Sequence, residues 1–575
     1  MAISEDRAQS RLPDLKSLTM KPARIAHFLT AAVVAVCQTL VLGSGIIALV
    51  GGALIAKAEL SPEAHPPVGQ QPRRPANYAP FKYPHGPADL LRSDTLRVTA
   101  FADQSWADIK RVNASGIYQP AWDSLVRHPC PEWFQDAKLG LFIDWGPWSV
   151  AGYGTWQKNP TDAVYPDWYE SWMLGPLKDY HDATWGKDFT GDDLIDLLRA
   201  DHFDPAAFAQ LAQDCGMKYV VPFLKHHGGF CLWQSSVTHR NSMEIGMKRD
   251  FATELAQACQ SKGLKFGIYT SVGEWNYPVV KDGKLLDVGF NGRVTGPLED
   301  NAPFMMGKVP VGDYARDYLV PQIKELIDKT NPDLIWYDGE WEAPAETWRT
   351  PELNAYYYNR AAARGQQVAI NDRSGKGCRS IKGRADFMTS EYHSITPTNG
   401  MIWEECRSIS RSFGYNWKEV NDESTVLSEQ ATIAMFVNIV ARGGNLLLIV
   451  SPDGCGRIPP NQEKRMRALG AWLKVNGEAI YATRPLPLAK ARNVSFTRSK
   501  DGRYAYAICT QWPGQSLRLD GVQAAAQAEV TLLGCADALT WHQDDQGLEV
   551  TLPQRLQAEA NRPGTHAWTI RIPIR

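Results

Sequence analysis

The sequence predicts an α/β protein: a (β/α)8-like, TIM-type barrel followed by a small antiparallel β-sandwich. Three observations carry this. From about residue 120 to 480, short apolar runs alternate with stretches of helical periodicity. The apolar runs are continuous rather than alternating, as a parallel sheet covered on both faces requires. After about residue 486 the helical period disappears and alternation with turn signals replaces it.

The elements follow in order. The uncharged run from Phe28 to Ala56 is preceded by Lys21 and Arg24 and left through Ala56-Lys57-Ala58. Residues 1–58 therefore read as a secretory signal peptide or, uncleaved, as a single membrane anchor, and the rest of the chain as exported to the periplasm or outside the cell. Residues 59–125 begin with a Pro-rich polar stretch that reads as a tether, then a lead-in with little pattern. The barrel is expected over 126–485. Its strands are expected in the runs LGLFIDWG, KYVVPFLKHH, KFGIYTS, LIWYDGE and VAINDR, with helices such as FDPAAFAQLAQDC and YLVPQIKELIDKT between them. In 486–575, VSFTRSKDGRYAYAICTQ predicts a hairpin turning at Lys500-Asp501-Gly502, with EVTLL, LEVTLP and AWTIRIPI as further strands.

Composition narrows the function. Lys and Arg number 61 against 63 Asp and Glu, so charge offers nothing to nucleic acid or a polybasic membrane surface. Twenty Trp beside 21 Tyr suit a ligand with apolar faces, such as a sugar. Of ten Cys, Cys37 lies in the export segment, leaving an odd number and no C-x-x-C pair, so neither zinc nor redox chemistry is expected. One or two disulfides are compatible with the count.

Polar residues recur where the apolar strands end: Asp144, Lys225-His226-His227, Tyr269, Asp338 and Asn371-Asp372-Arg373. In a β/α barrel that rim is where a catalytic site assembles. Asp338 emerges from a buried strand between aromatic residues, where poor solvation makes a carboxylate costly without a partner or a task. Glu391 ends the segment DFMTSE in the same manner. Two carboxyls on one rim are the minimum for glycoside hydrolysis, one attacking and one protonating the leaving oxygen. The pair His226-His227 fits hydrogen bonding to a polyol better than a metal, because neighbouring strand residues face opposite ways and no HxH or HExxH spacing accompanies them. No phosphate loop or nucleophile elbow is present, and no cofactor is expected.

The blocks WFQDAKLGLFIDWGPWSVAGYGTW, KYVVPFLKHHGGF, GLKFGIYTS, LIWYDGEW, INDR, TSEYH, SFGYN and GGNLLLIVSPDG, in this order, resemble the alpha-L-fucosidases of glycoside hydrolase family 29. The resemblance implies a retaining, exo-acting enzyme acting on fucosylated oligosaccharides or glycoconjugates, with Asp338 as nucleophile and Glu391 as acid/base. It implies a sugar pocket that includes Tyr153, Trp156, His226, His227, Tyr269, Trp336, Arg373 and Phe413. Three departures fall in pocket blocks: Asp144 stands where the family usually has histidine, Thr155 where it has glutamate before tryptophan, and Gly228 where KHHDGF is common. Asp144 and Thr155 keep open a related sugar such as an alpha-L-galactoside. A barrel that binds carbohydrate without hydrolysing it is the rival from another class.

Overall fold

The computed structural model describes residues 63–82, 87–155, 164–275, three strands between 277 and 297, 313–392 and 397–574. Residues 1–62, with the segment expected to direct export, Trp156 and the other residues between these ranges lie outside the described residues.

Eight parallel strands form the core: β1 (Leu139–Ile143), β2 (Tyr219–Lys225), β3 (Lys265–Ser271), β4 (Leu334–Asp338), β5 (Ala369–Ile370), β6 (Phe387–Glu391), β7 (Ile402–Ser408) and β8 (Gly444–Val450). They pair in chain order, β8 returns to β1, and a parallel bridge between Asn371 and Phe387 joins β5 to β6, so the sheet closes on itself. Because almost every strand residue is buried, both faces must be covered, and the strands read as unbroken apolar runs for that reason. Helices Pro205–Asp214, Phe251–Ser261, Val320–Thr330 and Thr350–Ala363 follow β1 to β4. Asp204 shows how the first begins: its carboxylate accepts from the amides of Ala206 (2.9 Å) and Ala207 (3.2 Å), with Pro205 in the first turn.

Aromatic rings fill the barrel beneath its C-terminal rim. Phe223 lies flat on Tyr269 at 3.9 Å, Tyr269 stacks near Trp336 at 5.5 Å, and Phe142 packs against Phe223 at 4.6 Å. This layer draws on β1 to β4 and forms a rigid apolar floor for whatever lies above. At the other end Phe134 and Tyr219 plug the barrel. Gly140 is needed there, since a Cβ would meet the Tyr219 ring at 2.3 Å.

The C-terminal sandwich is two antiparallel sheets. One orders Thr483–Pro485, Val494–Ser499, Tyr504–Cys509, Trp568–Pro573 and Thr531–Leu532, and the other Ser516–Asp520, Gly547–Thr551 and Thr540–Gln543. The expected hairpin is present, and Gly502 adopts the left-handed φ of 76° in its turn. The first strand begins just before the expected boundary at 486. The sandwich docks on the barrel through Trp472, whose Nε1 donates to the Ala567 carbonyl at 2.9 Å.

Two expectations need correcting. The Pro-rich segment is not a free tether over 63–82: Arg74 pairs with Asp188 at 2.6 Å, the Gly69 amide donates to the Tyr415 hydroxyl at 3.1 Å, and Arg457 donates to the Pro66 carbonyl at 2.7 Å. It docks through backbone and charge together with a few apolar groups, Ala64 in the core and Tyr78 packed on Phe189 at 5.5 Å, too few for composition to register. The lead-in contains a helix, Pro87–Ser115, held by Trp106 donating to the Arg316 carbonyl (2.7 Å) and Asn113 to that of Glu352 (3.0 Å). The nine described cysteines are all free thiols.

Candidate active site

The ends of β2, β3, β4, β5 and β6 deliver His226, His227, Tyr269, Asp338, Arg373 and Glu391 to one cavity of about 1090 Å³. Asp338 closes β4. Its Oδ2 accepts from the Tyr269 hydroxyl at 2.7 Å, and its Oδ1 from an Arg373 nitrogen at 2.9 Å. Burial alone would push its carboxyl up, but the Arg373 guanidinium, then His227 and the Tyr269 hydrogen bond, hold it well below the usual carboxylate range. Asp338 is thus an anion at any physiological pH. Gly339 follows it at φ 74°, and a Cβ there would meet Ser271 Oγ at 2.5 Å, so the strand can turn away only at glycine.

Arg373 ties the site together. The second terminal nitrogen of its guanidinium donates to Glu391 Oε1, its Nε donates to Thr389 Oγ1 at 2.8 Å, and its plane sits 4.5 Å from the Trp336 ring. One buried fork therefore bridges the two carboxylates. Its neighbours brace it. Asn371 pairs both ways with the Tyr337 backbone (2.9 Å each), and Asp372 accepts from the Thr389 amide (3.0 Å) and hydroxyl (2.7 Å). These contacts let a two-residue strand hold an arginine in a fixed place. The Glu391 side chain is 35% exposed, so it meets both the cavity and solvent.

His226 and His227 both line the cavity, with ring centres 4.1 Å apart. The alternation expected of them does not apply, because β2 ends at Lys225, which turns into the Glu274 carboxylate at 2.5 Å instead. Burial depresses both imidazoles, His227 to about 4, so both are neutral. Ser271 Oγ lies 2.6 Å from His227 Nδ1, and His227 Nε2 lies 3.7 Å from Asp338. Among the described residues no cluster of His, Cys, Asp or Glu could hold a metal ion.

Trp336 and Phe413 line the cavity as well. The Trp336 indole donates to Glu404 at 3.0 Å, and Phe413 stacks on Tyr392 at 5.1 Å. Two expected residues are not brought there. Tyr153 stacks on Tyr180 at 3.5 Å with the Lys418 ammonium 3.3 Å from its hydroxyl, away from the lining. Asp144 is wholly buried behind it, one oxygen accepting from the Trp148 indole at 2.8 Å and the other without a partner.

Several lining residues were missed. Asp167 and Trp168 reach the cavity, Trp168 packing on His227 (5.4 Å) and Trp275 (5.4 Å). They form the acid-tryptophan dipeptide that the resemblance expects, twelve positions beyond Thr155-Trp156, and that dipeptide was the signal available in the sequence. Burial, with Glu391 and Asp338 nearby, lifts Asp167 to about 7. Asp144 beside it is raised by burial and by Asp167. The Gly228 departure also has a cause. A Cβ there would meet Glu170 Oε2 at 2.1 Å, so a carboxylate from another segment occupies that space, clasped by Arg240 at 2.9 Å.

A carboxylate pair on the C-terminal rim of a β/α barrel, over an aromatic floor and among neutral hydrogen-bonding imidazoles, defines a glycoside hydrolase. The alpha-L-fucosidase family model matches residues 105–478, and the alpha-L-fucosidase C-terminal domain model matches 489–573. The chain is 33% identical over 469 residues to the tissue alpha-L-fucosidase of Rattus norvegicus, covering 79% of this chain and 92% of that one. It is 32% identical to the tissue alpha-L-fucosidase of Homo sapiens over 504 residues, 85% and 97% of the two chains. The solved alpha-fucosidase of Thermotoga maritima superposes with a TM-score of 0.64 at 32% identity, over 79% of this chain and 100% of that one. The chain belongs to the alpha-L-fucosidase family.

Proposed function

We propose that the protein releases terminal alpha-L-fucose from glycans by double displacement with retention of configuration. Asp338 attacks the anomeric carbon while Glu391 gives its proton to the departing oxygen, leaving a fucosyl ester on Asp338. Water then attacks the same carbon as Glu391 takes its proton, and Asp338 departs as the carboxylate. The observation that carries this is the Arg373 bridge: two carboxylates on one guanidinium face one cavity at short range. A retaining pair stands about 5 to 5.5 Å apart, whereas an inverting pair leaves about 6.5 to 9.5 Å for a water. The division of roles fits as well. Asp338 is held ionised as a nucleophile must be, and the partly exposed Glu391 can exchange protons with leaving group and water.

The neutral His226 and His227 and the Tyr269 hydroxyl suit ring hydroxyls, while Trp336 and Phe413 offer an apolar face to the C5 methyl of fucose. A second reading has its own support. Asp167 Oδ1 and His226 Nδ1, on residues that line the cavity, are buried without a hydrogen-bond partner, which favours a sugar that brings a further hydroxyl, such as an alpha-L-galactoside. Hydrolysis of matched nitrophenyl glycosides separates the two: release from the alpha-L-fucoside is expected, and release only from the galactoside would replace the first reading with the second. We further propose export through the N-terminal uncharged run, tested by fractionating cells that express the full chain.

A further inference from the structure

The cavity, at about 1090 Å³, lies at the upper end of what encloses a drug-sized ligand, and a single sugar over Asp338 leaves its outer part empty. That outer part carries its own chemistry. Arg407, near the end of β7, lays its guanidinium 4.2 Å from the centre of the Tyr392 ring, and its Nε is buried without a hydrogen-bond partner. Arg411 is exposed on the loop that follows, and its carbonyl accepts from the Tyr392 hydroxyl at 3.1 Å, which fixes that loop to the same ring. Both arginines border the cavity.

Among the described residues neither has a carboxylate within ion-pair distance. The acids near Arg411 act on it through space without pairing with it: Glu419 accepts from the Ser412 hydroxyl at 2.7 Å, and Asp422 from that of Ser424 at 2.6 Å. The cavity's other arginines have partners, since Arg373 spans Asp338 and Glu391, and Arg379 meets Glu340 at 3.2 Å. The Arg407 guanidinium therefore lies against Tyr392, the residue after the proposed acid, where the leaving group departs, and Arg411 borders the same cavity, neither with an ion-pair partner among the described residues. A guanidinium partly withdrawn from water gains most from an anion that accepts two of its hydrogen bonds.

We propose that the outer cavity is a leaving-group subsite for a sugar carrying a sulfate ester or a carboxylate, seated against Tyr392 and held by Arg407 and Arg411. This rests on the glycosidase reading above and names the class of glycan that the same site prefers.

The test compares kcat/KM for three fucosides that differ only in the leaving sugar: galactose, sulfated galactose and galacturonic acid. One or both anionic substrates should exceed the neutral one by about tenfold, the value for a charged hydrogen bond, and the better anion identifies the source. The advantage should shrink as salt rises, and the ratio should fall towards one in the Arg407→Met/Arg411→Met double variant. Equal or slower turnover of both anionic substrates, or a ratio that the double variant leaves unchanged, overturns the proposal. If no fucoside turns over, the glycosidase reading fails separately. The subsite is then read by calorimetric titration with galactose 6-sulfate and galacturonic acid: binding lost in the double variant supports it, and no binding overturns it.

Discussion

At the floor of the cavity Tyr269, Trp336 and Arg373 are each no more than 2% exposed, and hydrogen bonds fix Asp338 from two sides. At the rim Trp341 is 37% exposed, Arg411 lies open, and Glu391 has one arginine contact and solvent. The floor stands on strands whose other side chains form the barrel core, so its geometry is settled by folding. The rim stands on the last residue of β6, Glu391, and on residues beyond the strands, and it is open to solvent. On the proposed mechanism the chemistry divides between a nucleophile, Asp338, held from two sides and an acid/base, Glu391, that reaches water.

The sharpest way to break this comparison is Asp338→Asn. Turnover should fall by about 10⁴-fold or more in initial-rate assays, with the fold unchanged by circular dichroism. Substantial residual activity would place the nucleophile elsewhere. Glu391→Gln should cost about 10² to 10⁴-fold on natural glycans and much less on aryl fucosides whose leaving group needs no proton. Equal losses on both substrates would deny it the acid role.

A smaller effect concerns stability. Glu404 sits in the barrel between Tyr219 and Trp336, and burial lifts its carboxyl from 4.5 to about 7. The folded chain holds this proton more tightly than the unfolded chain does. Its stabilisation is therefore complete below about 4.5 and is lost as pH rises through about 7, of order 3 kcal/mol in all. Urea unfolding between pH 4 and 8 should show this slope, and Glu404→Gln should flatten it. Smallest of all, Tyr153→Phe should change kcat/KM less than about twofold, because its hydroxyl contacts Lys418 outside the cavity. A large loss would return Tyr153 to the sugar pocket.

Much of the floor is readable in the sequence. LIWYD and KFGIYTS are apolar runs ending in the residues that meet in the site, so period and position point to Asp338 and Tyr269 directly. The strand IWEECRS was missed because Glu404, Glu405 and Arg407 make it look like surface. The Glu404 charge is answered by Tyr219 and Trp336 from other strands, which only the closed barrel brings near. The rim is less readable for the same reason. Asp167-Trp168 follows a stretch that displaces it from the expected position, and the place of Gly228 depends on Glu170, 58 residues earlier. Tyr153 illustrates the converse, a residue that matches a pattern while its ring packs elsewhere.

The central claim is that Asp338 and Glu391 work as a retaining pair across one bound sugar. Proton NMR of the fucose released in the first minutes, before mutarotation, tests it most directly. Appearance of the alpha anomer first is the predicted result, and appearance of the beta anomer first would contradict it.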